Sequence, residues 1–154
     1  MTKSSGTKGV LGFIGGILAL VSLWMAWFQA SLLTASGFGT IDIGIVDYTA
    51  TNLRNAGYLI LLGATLALLF GILMIADVIK YSSHKTGYAI ILIGGVLCVV
   101  GLIVWLLSAA EVDAGWFHYN LYELDNLTVE IGFFLAIAGT LLIILDGLLG
   151  VKKR

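Results

Sequence analysis

Four stretches of about twenty residues, each almost wholly apolar, constrain this chain more than any other feature. They cover 9–28, 57–79, 87–109 and 131–150. A helix needs about 20 such residues, at a rise of about 1.5 Å each, to cross a hydrocarbon core about 30 Å thick. The only charges inside them are Asp77 and Asp146, each close to an end. The expected fold is therefore an all-α membrane protein, an antiparallel bundle of four transmembrane helices forming one integral domain over 1–154. Composition leads the same way, with 60% hydrophobic and 11% charged residues and a mean hydropathy of +1.06, where a soluble domain averages about 25% charged. A globule of this size removes only about 70% of its chain surface from water, so so apolar a chain needs a second apolar phase.

Charge sets the expected orientation. Lys3, Lys8, Lys80, Lys85, Lys152, Lys153 and Arg154 fall on the side shared by both termini and the turn at 80–86, and positive residues are retained on the cytoplasmic side. The other side holds Arg54 with Asp42, Asp47, Glu111, Asp113, Glu123, Asp125 and Glu130. Both termini are thus expected to be cytoplasmic, in a multi-pass protein of the cell membrane. The first apolar run is too long for the core of a signal peptide and reads as a retained helix. Trp24, Trp27, Phe28, Tyr58, Trp105 and Phe133 fall at the outer edge of the spans and Tyr81 and Tyr88 at the inner, where interfacial belts form.

Several function classes drop out. A net charge of −1 supplies no basic field for nucleic acid. A single cysteine, Cys98, lies in an apolar run and reads as a packing residue, and neither His84 nor His118 lies within a span to ligate a haem. Asp113, His118, Glu123 and Asp125 share a loop without metal-ligand spacing and read as a solvated acidic surface. No nucleophile has a base beside it, and the glycine pairs lie inside spans, where they cannot cradle phosphate. The chain is expected to be no enzyme, with no cofactor and no metal.

The external loops, 29–56 and 110–130, carry strand signals. Residues 40–45 alternate polar and apolar, and 116–123 followed by 127–130, with Asp125-Asn126 as the turn, read as a hairpin. An isolated hairpin is marginal, so both loops are expected to join in one small extracellular sheet. Trp116, Phe117, Tyr119 and Tyr122 would offer contact area there, with Arg54 nearby. Asn126-Leu127-Thr128 matches the N-glycosylation pattern.

Helices in lipid associate where small residues let backbones approach. Such seams run through Gly12, Gly16 and Ala19 in the first span, and Gly63, Ala67 and Gly71 in the second. In the third they are Gly87, Gly94 and Gly101, and in the fourth Gly132 and Gly139. Packing within the chain is the expected use, and Gly15, Ser22 and Gly95 are surplus positions for contact with another chain. Intramembrane acids are costly, and an anion at a helix C-terminus opposes the macrodipole. Asp77 and Asp146 are therefore expected in ion pairs, Asp77 with Lys80 three residues on, rather than in partner docking or in proton or cation coupling.

The layout resembles the claudin-like tetraspan superfamily. The features that carry the resemblance are Arg54 shortly before the second span, Lys85 before the third, and Gly94-Gly95 and Gly101-Leu102 followed by Trp105. The first loop lacks that family's Gly-Leu-Trp signature and its two cysteines, and is about half the expected length. The resemblance implies lateral polymerisation and contact between facing membranes through the external sheet. The functional expectation is a non-enzymatic membrane scaffold or adhesion protein, contacting lipid and assembling with copies of itself or another membrane protein. The alternatives are an accessory subunit of a larger membrane enzyme or transporter, and a small ion or solute conductor.

Overall fold

The computed structural model describes residues 9–30, 33–43, 47–79, 84–114, 117–124 and 126–152. Four helices, α1 (Val10–Ser22), α2 (Thr51–Ile75), α3 (His84–Ser108) and α4 (Ile131–Lys152), run up, down, up and down. Each packs on the next in sequence and α4 closes on α1, leaving α2 and α4 across a diagonal. Among the described residues seven short strands gather at one end: β1 (Ala26–Ala30), β2 (Leu33–Ser36), β3 (Thr40–Asp42), β4 (Asp47–Thr49), β5 (Val112–Ala114), β6 (Phe117–Tyr119) and β7 (Thr128–Val129). They form a five-stranded antiparallel sheet in the order β4-β3-β2-β1-β7 and a separate β5-β6 pair.

Three of the helices, α2, α3 and α4, are long and apolar enough to cross a membrane. The first is not. At 13 residues α1 spans about 20 Å, and the expected run of 9–28 is instead this helix, a turn and the first strand. Hydropathy is blind to that boundary, because the strand is as apolar as the helix it follows. What ends the helix is hydrogen bonding: Trp24 N–H reaches Val21 O at 3.3 Å, Met25 N–H reaches Ser22 O at 3.1 Å, and the Trp27 indole Nε1–H donates to Ser22 O at 2.7 Å.

The second helix also departs from the expected 57–79, starting at Thr51 and stopping at Ile75. Its start is polar, through Asn52 and Arg54, and so invisible to a hydropathy scan. Its stop is a left-handed cap: Asp77 has φ 55°, Val78 N–H bonds Leu73 O at 3.0 Å, and Asp77 N–H bonds Met74 O at 3.2 Å. That is the paired 6→1 and 5→2 pattern that satisfies a helix's last carbonyls. The third helix starts three residues before the expected 87, and the fourth runs two beyond 150.

Both loops do contribute to one sheet, but not through the expected hairpin. β7 pairs with β1, matching Phe28 with Val129 and Gln29 with Thr128. β6 pairs with β5 instead, Asp113 opposite His118, and Leu121–Glu123 is a 3-10 turn in which Tyr122 N–H bonds the Asn120 side chain. Alternation fixes which face a strand presents, not which edge it joins. A bulge in β1 leaves Trp27 without an opposite residue between Ala26↔Ser36 and Phe28↔Ala35. The bulge breaks the two-residue period and turns both Trp27 and Phe28 inward.

Small residues line the contacts between helices, while many large aliphatic side chains face outward. Gly15 approaches Gly139, Gly16 approaches Ala64, Gly63 approaches Gly94, and Gly71 approaches Gly9. Ala19, Ala64, Ala67, Ala136 and Cys98 fill the remaining interior together with Ile60, Ile91 and Ile143. Facing outward are Ile14, Ile17, Val21, Leu62, Leu69, Ile93, Val100, Ile103, Phe134, Leu141 and Leu145, among others.

Candidate functional site

The ends of the bundle carry its polar chemistry. At the sheet end, Trp27, Phe28, Trp105 and Phe133 form one aromatic core: Trp27 and Trp105 centroids are 4.8 Å apart, Phe28 stacks on Trp105 at 5.3 Å, and Phe133 lies 5.5 Å from Trp27. Trp27 and Trp105 are fully buried, and Phe28 nearly so. Trp27, Phe28 and Trp105, together with the buried Tyr88, are interior residues and not the expected interfacial belt; Phe133 packs on them half-buried, and Trp24 and Tyr58 face outward. Donors around the core meet the carbonyls that helices leave unpaired at their C-termini. Beyond Trp27, Asn52 Nδ2 donates to Ser108 O at 3.2 Å and Glu111 O at 2.6 Å, and the Tyr122 hydroxyl donates to Leu106 O. Partial burial raises the Tyr122 phenol above its ordinary pKa of 10.0.

Beside this core an open cleft of about 340 Å³ lies between the sheet and the start of α2. Trp24, Thr34, Ser36, Phe38, Thr40, Asp42, Asp47 and Arg54 line it, with Ala26. Arg54 is fixed by two bonds, Nε–H to Phe38 O at 3.0 Å and Nη2–H to Thr40 Oγ1 at 3.1 Å, and lies 5.7 Å from the Phe38 ring centroid. Asp42 and Asp47 stand directly opposite each other on β3 and β4, an arrangement of like charges that weakens a strand pair. Phe38 is held out by the turn at Gly37 and Gly39. Gly39 takes φ 76°, and a methyl on Gly37 would come within 2.5 Å of the Trp27 indole. Arg54 stands out in the sequence but the cleft does not; the Gly-Phe-Gly triplet before a charged helix start is its one local signal.

At the opposite end Asp146 is fully buried, and its Oδ2 accepts a 2.8 Å hydrogen bond from the backbone N–H of Gly12. Gly12 is the third residue of α1, so the carboxylate caps the positive end of a neighbouring helix. The unfavourable C-terminal field of its own helix, which the sequence made prominent, is offset by the amino end of α1 packed against it. Gly12 also has to be small, since a Cβ there would lie 2.8 Å from the same oxygen. Asp77 is exposed and serves as the left-handed cap of α2; Lys80, its expected partner, lies outside the described residues.

The remaining expected positions divide clearly. Gly12, Gly16, Ala19, Gly63, Ala67, Gly71, Gly87, Gly94, Gly101, Gly132 and Gly139 are all buried within the chain. So are the surplus Gly15, Ser22 and Gly95, which are not available to a second chain. Gly15 faces Gly139, and Gly95 faces Ile144. Trp116 lies outside the described residues, as do the side chains of Phe117 and Tyr119. Tyr122 touches Phe28 at 6.3 Å and is half exposed. Asn126 is exposed at a left-handed turn, φ 59°. Among the described residues no group of three or more His, Cys, Asp or Glu side chains could hold a metal ion. No protein-family model matches this chain, and no curated protein matches it.

Proposed function

We propose that this chain is a non-enzymatic scaffold embedded in the cell membrane, with cytoplasmic termini, which binds a protein partner or a second copy through the lobe built on its two external loops. The observation that carries the reading is where the small residues go. Backbone approach in lipid needs them, and the seam glycines are occupied against helices of the same chain. The outer helix faces offer large aliphatic side chains, the surface that lipid solvates. The lobe is left as the surface with mixed chemistry: an aromatic core beneath, charges and exposed rings above.

The number of large aliphatic side chains facing outward supports embedding in lipid, because a water-soluble bundle would not leave so broad an apolar surface exposed. A structural duty for Asp146 and Asp77 weighs against conduction, since one caps a helix and the other ends one. Kinship with claudin-like tetraspans is part of the same proposal and rests on the residues already named for it. Replacing Trp116 and Phe117 together by alanine tests the lobe. Crosslinked partner or self-contact should fall at least tenfold in a variant that still extracts as a folded bundle, and unchanged crosslinking would remove the lobe from the interface.

A further inference from the structure

The polar wall of the cleft beside Arg54 is fixed before any ligand arrives. The cleft's volume, about 340 Å³, is that of a small-ligand site. A chain of hydrogen bonds stiffens the wall: Arg54 Nη2–H donates to Thr40 Oγ1 at 3.1 Å, and Thr40 N–H donates to Ser36 Oγ at 3.1 Å. In both hydroxyls the oxygen is engaged as an acceptor and the proton is left to donate. Among the described residues Phe38 O and Thr40 Oγ1 engage two of the five N–H groups that a guanidinium carries, so Arg54 is held rigid with donors to spare. Groups positioned in this way lose little freedom when a ligand binds.

Asp47, exposed on β4, brings acceptor oxygens to the same cleft. The mixture selects against simple ions. An anion drawn to Arg54 meets the carboxylates of β3 and β4, while a cation drawn to those leaves the guanidinium donors unmatched. A neutral ligand with several hydroxyl groups uses both sets, since each hydroxyl donates and accepts. Guanidinium and carboxylate are planar forks, and each can span two neighbouring hydroxyls.

The other wall is aromatic. Trp24 and Phe38 line it, packed edge to face at 5.0 Å, and Trp24 is 66% exposed. Phe38 is fixed beside Arg54, whose guanidinium carbon lies 5.7 Å from the ring centroid. The face of an aromatic ring is negative and attracts polarised C–H groups. A ligand matching both walls is a ring with hydroxyls around its edge and C–H bonds on its faces, which describes a pyranose sugar.

We propose that the Arg54 cleft binds a neutral pyranose, its hydroxyls on Arg54, Thr40, Ser36 and Asp47 and a C–H face on Trp24. The site goes beyond the protein-binding reading and does not rest on it, since the purified chain alone is enough to test it. The experiment is saturation-transfer NMR on the full chain in a detergent without a sugar head group. The probes are methyl glucopyranoside, methyl galactopyranoside and methyl mannopyranoside, with inorganic phosphate and methylammonium as competing ions. At least one pyranoside should bind, with transfer strongest on the C–H protons of one ring face, and neither ion should displace it at equal concentration. Trp24→Ala should weaken that binding about tenfold or more. Asp47→Asn should do the same, and because it relieves a like-charge pair across β3 and β4 it leaves the fold intact. Arg54→Gln should abolish binding. The same chain in nanodiscs containing a monohexosyl glycolipid identifies where the sugar comes from: tighter binding than the matching methyl pyranoside assigns the site to a glycolipid head, and equal affinity to a sugar outside the membrane. No binding of any of the three pyranosides, displacement by either ion at equal concentration, or binding that survives both Trp24→Ala and Asp47→Asn would overturn the site.

Discussion

The two ends of the bundle solve the same problem with opposite chemistry. Helix ends leave backbone groups unpaired, and in an apolar medium each one left so costs several kcal/mol. At the sheet end the orphans include carbonyls of α1 and α3, and the groups that meet them are donors: the Trp27 indole, the Asn52 amide and the Tyr122 hydroxyl. At the other end an orphan amide of α1 is met by an acceptor, the Asp146 carboxylate, while α2 closes on its own backbone around Asp77. The difference teaches that a charge inside an apolar segment can be a structural cap, decided by which terminus of the neighbouring helix lies against it.

That contrast can be broken from either side. Trp27→Ala should have the largest effect, about 3–5 kcal/mol in denaturant unfolding in micelles, because it empties the centre of the aromatic core as well as removing the Ser22 bond. Asp146→Ala should cost about 1.5–3 kcal/mol, the range for a hydrogen bond to a charged group. Asp146→Asn should recover part of this, since an amide oxygen still accepts from Gly12. Partial recovery in the same unfolding measurement would mark the carboxylate as a cap; none would mark its charge as the essential property.

Two tryptophan substitutions sharpen the account of the sheet end. Trp27→Phe keeps a ring but loses the donor and should cost about 1 kcal/mol. Trp105→Phe should cost little or nothing by comparison, because Trp105 Nε1 is buried without a hydrogen-bond partner among the described residues and its removal takes away an unmet donor. At Asp77 the sign reverses, and Asp77→Gly should raise thermal stability by about 0.5–1 kcal/mol. Glycine takes the left-handed conformation without the Cβ clash.

The helical layout was legible in the sequence because length and hydropathy report directly on three of the four helices, and small residues recurring at helical intervals, such as Gly63, Ala67 and Gly71 or Gly94 and Gly101, lie on faces that do meet. Hydropathy carries the first helix too far for a physical reason: Ala26 to Phe28 are as apolar as Ser22 to Met25, and only hydrogen bonds, from the Trp24 and Met25 amides and the Trp27 indole, distinguish the helix end from its continuation. The sheet was legible as strands and illegible as pairings. A two-residue strand such as β7 carries no record of its partner, and the bulge at Trp27 has no sequence signature. Asp146 was prominent in the sequence, but its role depends on Gly12, 134 residues away. The cleft depends on three separate segments meeting at Phe38, which no local pattern encodes.

The central claim is that association runs through the lobe because the helix seams are closed within one chain. Its most direct test is the mass of the particle extracted in mild detergent after crosslinking in native membranes, measured for the unaltered 16.4 kDa chain and for the chain carrying Trp116→Ala with Phe117→Ala. The account predicts a particle heavier than the lone chain, by copies or by another polypeptide at fixed stoichiometry, that reverts to the lone chain in the variant. A particle whose mass is unchanged by the lobe variant, but falls when an outward residue such as Ile103 or Leu141 is replaced by a bulkier one, would contradict it.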